Sequence, residues 1–364
     1  MQAPVPAAEP NLTNLAMQAA RLLERRLRWS GVPALAAAVV TRAGLVWSGA
    51  QGVRRKRGGT PVTHGDRWHL GSNAKAMTAA LYARLVQAEL ARWDAPLTDF
   101  FPDLRLDPAW DTVTAVDLMR HRSGLKDRGL VDARRAARRS PRSVLDQRTE
   151  LAARALGAPP EGPAKRFAYA NANYILAGAA IERITGQCWE DAIRTWLLAP
   201  LGMNSAGYGA PRGENPWGHR AGLLGLGVGE AIDPALPHAD NPAVLGPAGT
   251  LHMTLADQAR FVRLFLNDGA GFLTRTSIST LTTAPTGEQN DYALGWGVFQ
   301  HRPWARGPVL LHEGSNTLWH AVAVVAPQRG LAVMTAANAA GAGSRAAQGL
   351  ALDLIKLYAP DSRS

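Results

Sequence analysis

Strand-like runs lie at the two ends of this chain and a long helical stretch lies between them, so any sheet has to be assembled across nearly the whole sequence. Pro33 to Val40 and Leu45 to Ala50, separated by Thr41-Arg42-Ala43-Gly44, read as a hairpin. Near the other end, Ala293 to Gln300, Val309 to His312, Trp319 to Ala326 and Leu331 to Ala336 read as consecutive antiparallel strands. An amphipathic helix over Leu12 to Trp29 precedes the first pair, and a last helix from about Ser344 to Tyr358 follows the final strand. The middle is mainly helical, broken by Gly- and Pro-rich loops such as Gly157 to Pro163 and Gly207 to Pro216. The expected fold class is therefore α+β. Residues 1–70 and 286–364 form one lobe, an antiparallel sheet flanked by the terminal helices, and residues 71–285 form an inserted, mainly helical lobe. The cleft between two such lobes is a natural place for a small molecule.

With 364 residues, 46% of them hydrophobic, the chain can bury a large core. Its longest apolar runs, Leu35 to Val40 and His320 to Pro327, have the length of buried strands and not of a bilayer span. The start, Met1 to Pro10, lacks the basic end and apolar stretch of a secretory signal. Two expectations fit it: a periplasmic or secreted protein whose signal has been removed, or a cytoplasmic one. The single cysteine, Cys188, excludes an internal disulfide and reads as a packed core thiol. The formal charge of +11 comes mostly from arginine, clustered at Arg25-Arg26, at Arg54-Arg55-Lys56-Arg57, and at Arg134-Arg135 with Arg138-Arg139. These clusters fall on different elements, with no interleaved aromatic residues and no helix-turn-helix or zinc-finger spacing, which argues against nucleic acid as a partner. A solvated face attracted to anionic cell-envelope polymers or anionic substrates is the simpler reading.

The first chemical signal is Ser72 and Lys75 in Gly71-Ser72-Asn73-Ala74-Lys75, at the start of an apolar helical run. Residues three apart share a helix face, so the amine can touch the hydroxyl. A serine attacks poorly until a base takes its proton, and a lysine becomes such a base when burial or nearby cations lower its pKa. The same spacing recurs at Ser123 and Lys126, but Gly124 marks a helix end there, so that pair reads as coincidence. The second signal is Phe167-Ala168-Tyr169-Ala170-Asn171-Ala172-Asn173-Tyr174, read as a turn ahead of a helix over Ile175 to Ile184. By itself it reads as a loop with an Asn-rich helix cap. The third is Leu311-His312-Glu313-Gly314-Ser315-Asn316 at a strand end, where alternation puts His312 and Gly314 on one face and Glu313 on the other. A glycine there lets a ligand approach the backbone. No His-Glu-x-x-His spacing occurs, so neither a metal nor another cofactor is expected.

Ser-x-x-Lys, then Tyr-x-Asn, then a basic residue two before a glycine, in that order, resembles the class C β-lactamase-like family of penicillin-recognising serine hydrolases. That family includes DD-peptidases, D-aminopeptidases and family VIII carboxylesterases. The resemblance covers nearly the whole chain and is supported by His121-Arg122-Ser123-Gly124-Leu125, Pro200-Leu201-Gly202-Met203, Pro247-Ala248-Gly249-Thr250-Leu251 with Asp257, and Leu294-Gly295-Trp296-Gly297. It implies a Ser72 nucleophile that forms an acyl-enzyme. Lys75 and Tyr169 would share the general-base work, Tyr169 only if neighbouring cations lower its pKa. Asn171 would hold Lys75 or a substrate carbonyl, and the backbone N–H groups of Ser72 and Ser315 would form an oxyanion hole. Where β-lactamases of this class usually carry Lys-Thr-Gly, this chain has His312-Glu313-Gly314. A neutral histidine, or an inward Glu313, would weaken recognition of a substrate carboxylate. The resemblance thus implies acyl transfer from a small ester or amide ahead of efficient β-lactam hydrolysis. The alternatives are a cell-wall D-Ala peptidase or penicillin-binding protein that deacylates slowly, and a noncatalytic binding protein on the same scaffold.

Overall fold

The computed structural model describes residues 12–127, 136, 140–222, 227–286 and 290–360, so the arginines at 134, 135, 138 and 139 and the start over residues 1–11 lie outside the described residues. In chain order, helix α1 (Leu12–Ser30) leads into β1 (Ala34–Thr41), β2 (Leu45–Gly52) and the short β3 (Trp68–His69). A 3₁₀ turn, Gly71–Asn73, then opens α2 (Ala74–Gln87). The middle carries helices Val144–Leu156, Asn171–Thr185 and Leu255–Leu266, with short strands β4 (Gly207–Tyr208), β5 (Gly218–Ala221), β6 (Val228–Ile232) and β7 (Leu251–Met253). Strands β8 (Asn290–Tyr292), β9 (Gly297–Arg302), β10 (Gly307–Ser315), β11 (His320–Ala326) and β12 (Leu331–Ala337) precede a final helix, Ala342–Tyr358. Among the described residues, no helix is long and apolar enough to cross a membrane.

The two ends of the chain meet in one seven-stranded sheet of order β2-β1-β12-β11-β10-β9-β8, and β1 pairs antiparallel with β12 from Leu35↔Ala337 to Thr41↔Leu331. Strands β1, β11 and β12 are buried on both faces, which is why they read as unbroken apolar runs. Alternation divides their side chains between two cores. Leu35, Ala37, Val39, Val322, Val324 and Val333 pack with α1 and the final helix, whereas Ala36, Ala38, Ala321, Ala323, Met334 and Ala336 face the helical body. In β10 the same rule separates neighbours. His312 pairs with Ala323 on the helical-body side, and Glu313 pairs with Val322 on the terminal-helix side.

At the centre of the larger core lies α2, buried at every position from Ala74 to Ala83. Its alanines let neighbouring backbones come close, and the lysine it carries, Lys75, is buried with them. The helical body is tied by a second buried charge. Arg148 is fully buried and donates to Glu182 Oε1 at 2.5 Å, to Glu190 Oε1 at 2.5 Å and to the carbonyls of Ala243 (2.8 Å) and Val244 (3.2 Å). Removing one member of such a cluster strands the others away from water. Arg148→Ala is expected to lower the unfolding free energy by about 3–5 kcal/mol, read as a drop in the urea midpoint; an unchanged midpoint would contradict this.

Several local expectations are corrected. Asn171 and Asn173 belong to the first turn of a helix that starts at Asn171, four residues earlier than the apolar pattern indicates, because Asp127 accepts the Ala172 N–H at 3.0 Å and supplies the missing cap. Ala293 to Trp296 is a turn and not a strand. Gly295 there has φ +81° and presses on α2, where a Cβ would stand 2.8 Å from the Lys75 carbonyl carbon. The middle also holds two small sheets, β3-β7-β4 and β5-β6, whose strands of two to five residues leave no readable period. Cys188 is only half-buried, at the N-cap of a short helix beginning at Trp189, with its Sγ 3.1 Å from Asp191 Oδ2, and is not a core thiol.

Candidate active site

The 3₁₀ turn holding Ser72 is wedged between β10 and the short helix Gly246–Gly249. A Cβ on Gly314 would collide with Leu70 O and stand 2.6 Å from Ser72 N, and one on Gly71, whose φ is +51°, would collide with Ser315 N. Only glycines permit this approach, and it sets the backbones of Ser72 and Ser315 side by side.

From the first turn of α2, the Lys75 amine reaches three oxygens: Ser72 Oγ at 2.9 Å, Asn171 Oδ1 at 2.9 Å and Ala248 O at 2.7 Å. Burial lowers its pKa from 10.5 to about 7, although the Asp127 carboxylate works in the opposite direction. Asn171 Oδ1 and Ala248 O can only accept. The neutral amine therefore spends its two N–H groups on them and turns its lone pair toward the Ser72 hydroxyl. The orientation of Asn171 is fixed from behind, since its Nδ2 donates to Asp127 Oδ2 at 2.9 Å.

The ring of Tyr169 lies 5.1 Å from Lys75 Nζ and is 46% exposed. Its hydroxyl is not acidified. Burial around that group raises the pKa to about 12 against an opposing interaction with Ser72, so Tyr169 rests as the phenol and the expected cation-driven lowering is absent. Below Tyr169 sits His121, fully buried, with ring centroids 4.2 Å apart and with Tyr174 and Tyr292 also packed on it. Ser123 donates to Asn173 Oδ1 at 2.6 Å, which joins the Ser-Gly-Leu turn to the helix of Asn171, while Lys126 is exposed.

On β10, His312 faces this cluster. Its Nδ1–H donates to Glu313 O at 2.8 Å, so Nε2 accepts from the Tyr292 hydroxyl at 2.9 Å. Burial and the nearby Lys75 push its pKa down to about 3, leaving it neutral. Glu313 points the other way, accepting from His320 Nε2 at 3.0 Å and Gln348 Nε2 at 2.7 Å. It places no negative charge beside Ser72.

A family model described as Beta-lactamase matches residues 19–356. The chain belongs to the beta-lactamase family. Penicillin-binding protein 4 of Amycolatopsis lactamdurans is 30% identical over 264 residues, 72% of this chain and 67% of that protein. Esterase EstB of Burkholderia gladioli is 31% identical over 183 residues, 48% of this chain and 46% of the esterase. The matches thus span about two thirds or less of these relatives' own lengths. The crystal structure of a class C beta lactamase from Rhodobacter sphaeroides shares the fold, with a TM-score of 0.72 at 19% identity over 93% of this chain and 98% of that one.

Against this family background, the structure gathers Ser72, Lys75, Tyr169, Asn171, His312, Gly314 and Ser315 into one locality from three separate stretches of sequence. Sequence reasoning missed Asp127 and Tyr292, which orient Asn171 and engage His312. Asp127 stands four residues after Ser123, yet one aspartate beyond a turn carries no signal until its partner is known.

Proposed function

We propose that this protein cleaves a small carboxylic ester or amide through an acyl-enzyme on Ser72, with Lys75 as the base. The observation that carries the reading is the buried amine with its pKa near 7, 2.9 Å from Ser72 Oγ. Ser72 Oγ attacks the carbonyl carbon as its proton passes to Lys75, and the resulting oxyanion is met by the N–H groups of Ser72 and Ser315. When the tetrahedral species collapses, Tyr169 gives its hydroxyl proton to the leaving group and is reprotonated from Lys75. The phenol therefore never has to ionise at rest. A water activated by the same pair then releases the acid. Asn171 holds the amine in register, and Gly314 leaves room beside the carbonyl.

The substrate end that would lie over β10 carries no carboxylate in this reading. His312 is neutral with both ring nitrogens engaged, and no lysine stands at that position. This supports a neutral small-molecule acyl substrate over a β-lactam. A net charge of +11 suits attraction to anionic cell-envelope polymers and hence a periplasmic or secreted setting. The second reading, a cell-wall peptidase with slow deacylation, is favoured by the likeness to the Amycolatopsis penicillin-binding protein.

A panel of short-chain p-nitrophenyl esters, nitrocefin and D-amino-acid peptides, with intact-mass detection of the acyl-enzyme, separates these readings. Rapid ester turnover with slow nitrocefin hydrolysis is expected. A long-lived penicilloyl adduct with no ester turnover would favour the peptidase, and efficient nitrocefin turnover would overturn the carboxylate argument.

A further inference from the structure

We propose that His69 and Asp240 are positioning residues that hold the backbone N–H groups of Ser72 and Ser315 in register with each other; this rests on Ser72 being the nucleophile. The two amides come from segments more than two hundred residues apart, and an oxyanion hole works only if both donors reach one point. Asp240 touches both segments. Its Oδ1 accepts from Asn316 Nδ2 at 2.8 Å, one residue beyond Ser315, and its two oxygens lie 2.9 and 3.0 Å from His69 Nε2. On the far side of the imidazole, Nδ1 accepts the N–H of Gly71 at 3.1 Å, one residue before Ser72.

The chemistry allows one arrangement. Gly71 N–H can only donate, so Nδ1 is the unprotonated nitrogen and Nε2 carries the hydrogen directed at Asp240. The ring is clamped by Trp319, stacked at a centroid distance of 5.7 Å and an interplanar angle of 25°. Asn316 closes the turn after Ser315 by accepting the N–H groups of Leu318 (3.2 Å) and Trp319 (3.1 Å), and Thr317 within it is held at φ +74°. Ser315 Oγ donates to Trp319 O at 2.6 Å. His69, Asn316 and Trp319 are all buried, and Asp240 is 9% exposed. A carboxylate held this way couples the two turns, and misplacement of one changes the geometry offered to the oxyanion without altering Ser72 or Lys75.

The test uses the full chain with His69→Gln, His69→Asn and Asp240→Asn. Glutamine can put its amide nitrogen where Nε2 stood, keeping the donor to Asp240 but abandoning Gly71. Asparagine can put its amide oxygen where Nδ1 stood, keeping the acceptor under Gly71 N–H. Turnover of p-nitrophenyl butyrate is expressed per Ser72 labelled by a fluorophosphonate at completion, so that misfolded protein does not count. His69→Gln and His69→Asn each cut one link of the chain from Gly71 through His69 to Asp240, so both are expected to lower kcat about tenfold to a hundredfold with KM changed less than about twofold. A parent-like kcat in either variant, or a loss shared with KM, would overturn the inference. If neither histidine variant folds, Asp240→Asn decides, with a tenfold or greater fall in kcat expected and the parent rate refuting it. Ser72→Ala serves as the control. Labelling that survives it removes the nucleophile assignment itself, whereas labelling lost with Ser72 beside normal turnover in His69→Gln sinks only the positioning role.

Discussion

Ser72→Ala is expected to abolish covalent labelling by a fluorophosphonate and to lower turnover of the best ester by about five to six orders of magnitude, the scale of removing the nucleophile in a serine hydrolase. The fold should persist. Ser72 Oγ is held by Lys75 at 2.9 Å, while the turn itself is fixed by Gly71, Gly314 and the Asn73 side chain, whose Nδ2 donates to Leu70 O at 2.9 Å. Intact-mass analysis after the probe, with a thermal melt on the same sample, checks both halves. A labelled Ser72→Ala protein, or one that turns over ester at more than a trace of the parent rate, would remove the acyl-enzyme from the reading.

Lys75→Met is expected to lower kcat by about 10²- to 10⁴-fold, the usual worth of a positioned general base. In the parent only the neutral amine can take the Ser72 proton, so kcat/KM should rise with pH and reach half of its plateau near pH 7. The residual activity of Lys75→Met should lack that inflection. The same pKa has a consequence for stability. It is 10.5 in the unfolded chain and about 7 when folded, so between those values the unfolded state binds more protons, and raising the pH favours folding. The penalty of burying the ammonium is full below about pH 7 and fades toward 10.5. The Tm of the parent relative to Lys75→Met should therefore climb between pH 7 and 10. A difference that stays flat would mean that the amine is not depressed, and an activity profile without the inflection would assign the base elsewhere.

Much of this was legible because long-range order left local traces. Strands β1, β11 and β12 of the central sheet are covered on both faces, so they stand out as apolar runs although they come from opposite ends of the chain. The period of two in β10 likewise put His312 and Glu313 on opposite faces before any partner was known. Boundaries were less legible. The Asn171 helix begins where Asp127 caps it, and Asp127 lies 45 positions upstream of the N–H that it accepts.

The sequence by itself determined that a serine and a lysine share one helical turn, that Tyr169 and Asn171 lie together on a second segment, and that a glycine follows His312 on a strand, because each pairing is set by helix or strand geometry over a few residues. Only the tertiary structure decided what those groups are in chemical terms. Lys75 falls near neutrality because α2 runs through the core, Tyr169 stays a phenol because burial and the Asp127 carboxylate outweigh its interaction with Ser72, and His312 is neutral because burial and the nearby Lys75 outweigh its bond to Glu313 O. Protonation depends on dielectric and on partners brought from distant parts of the chain, and neither is encoded in local spacing.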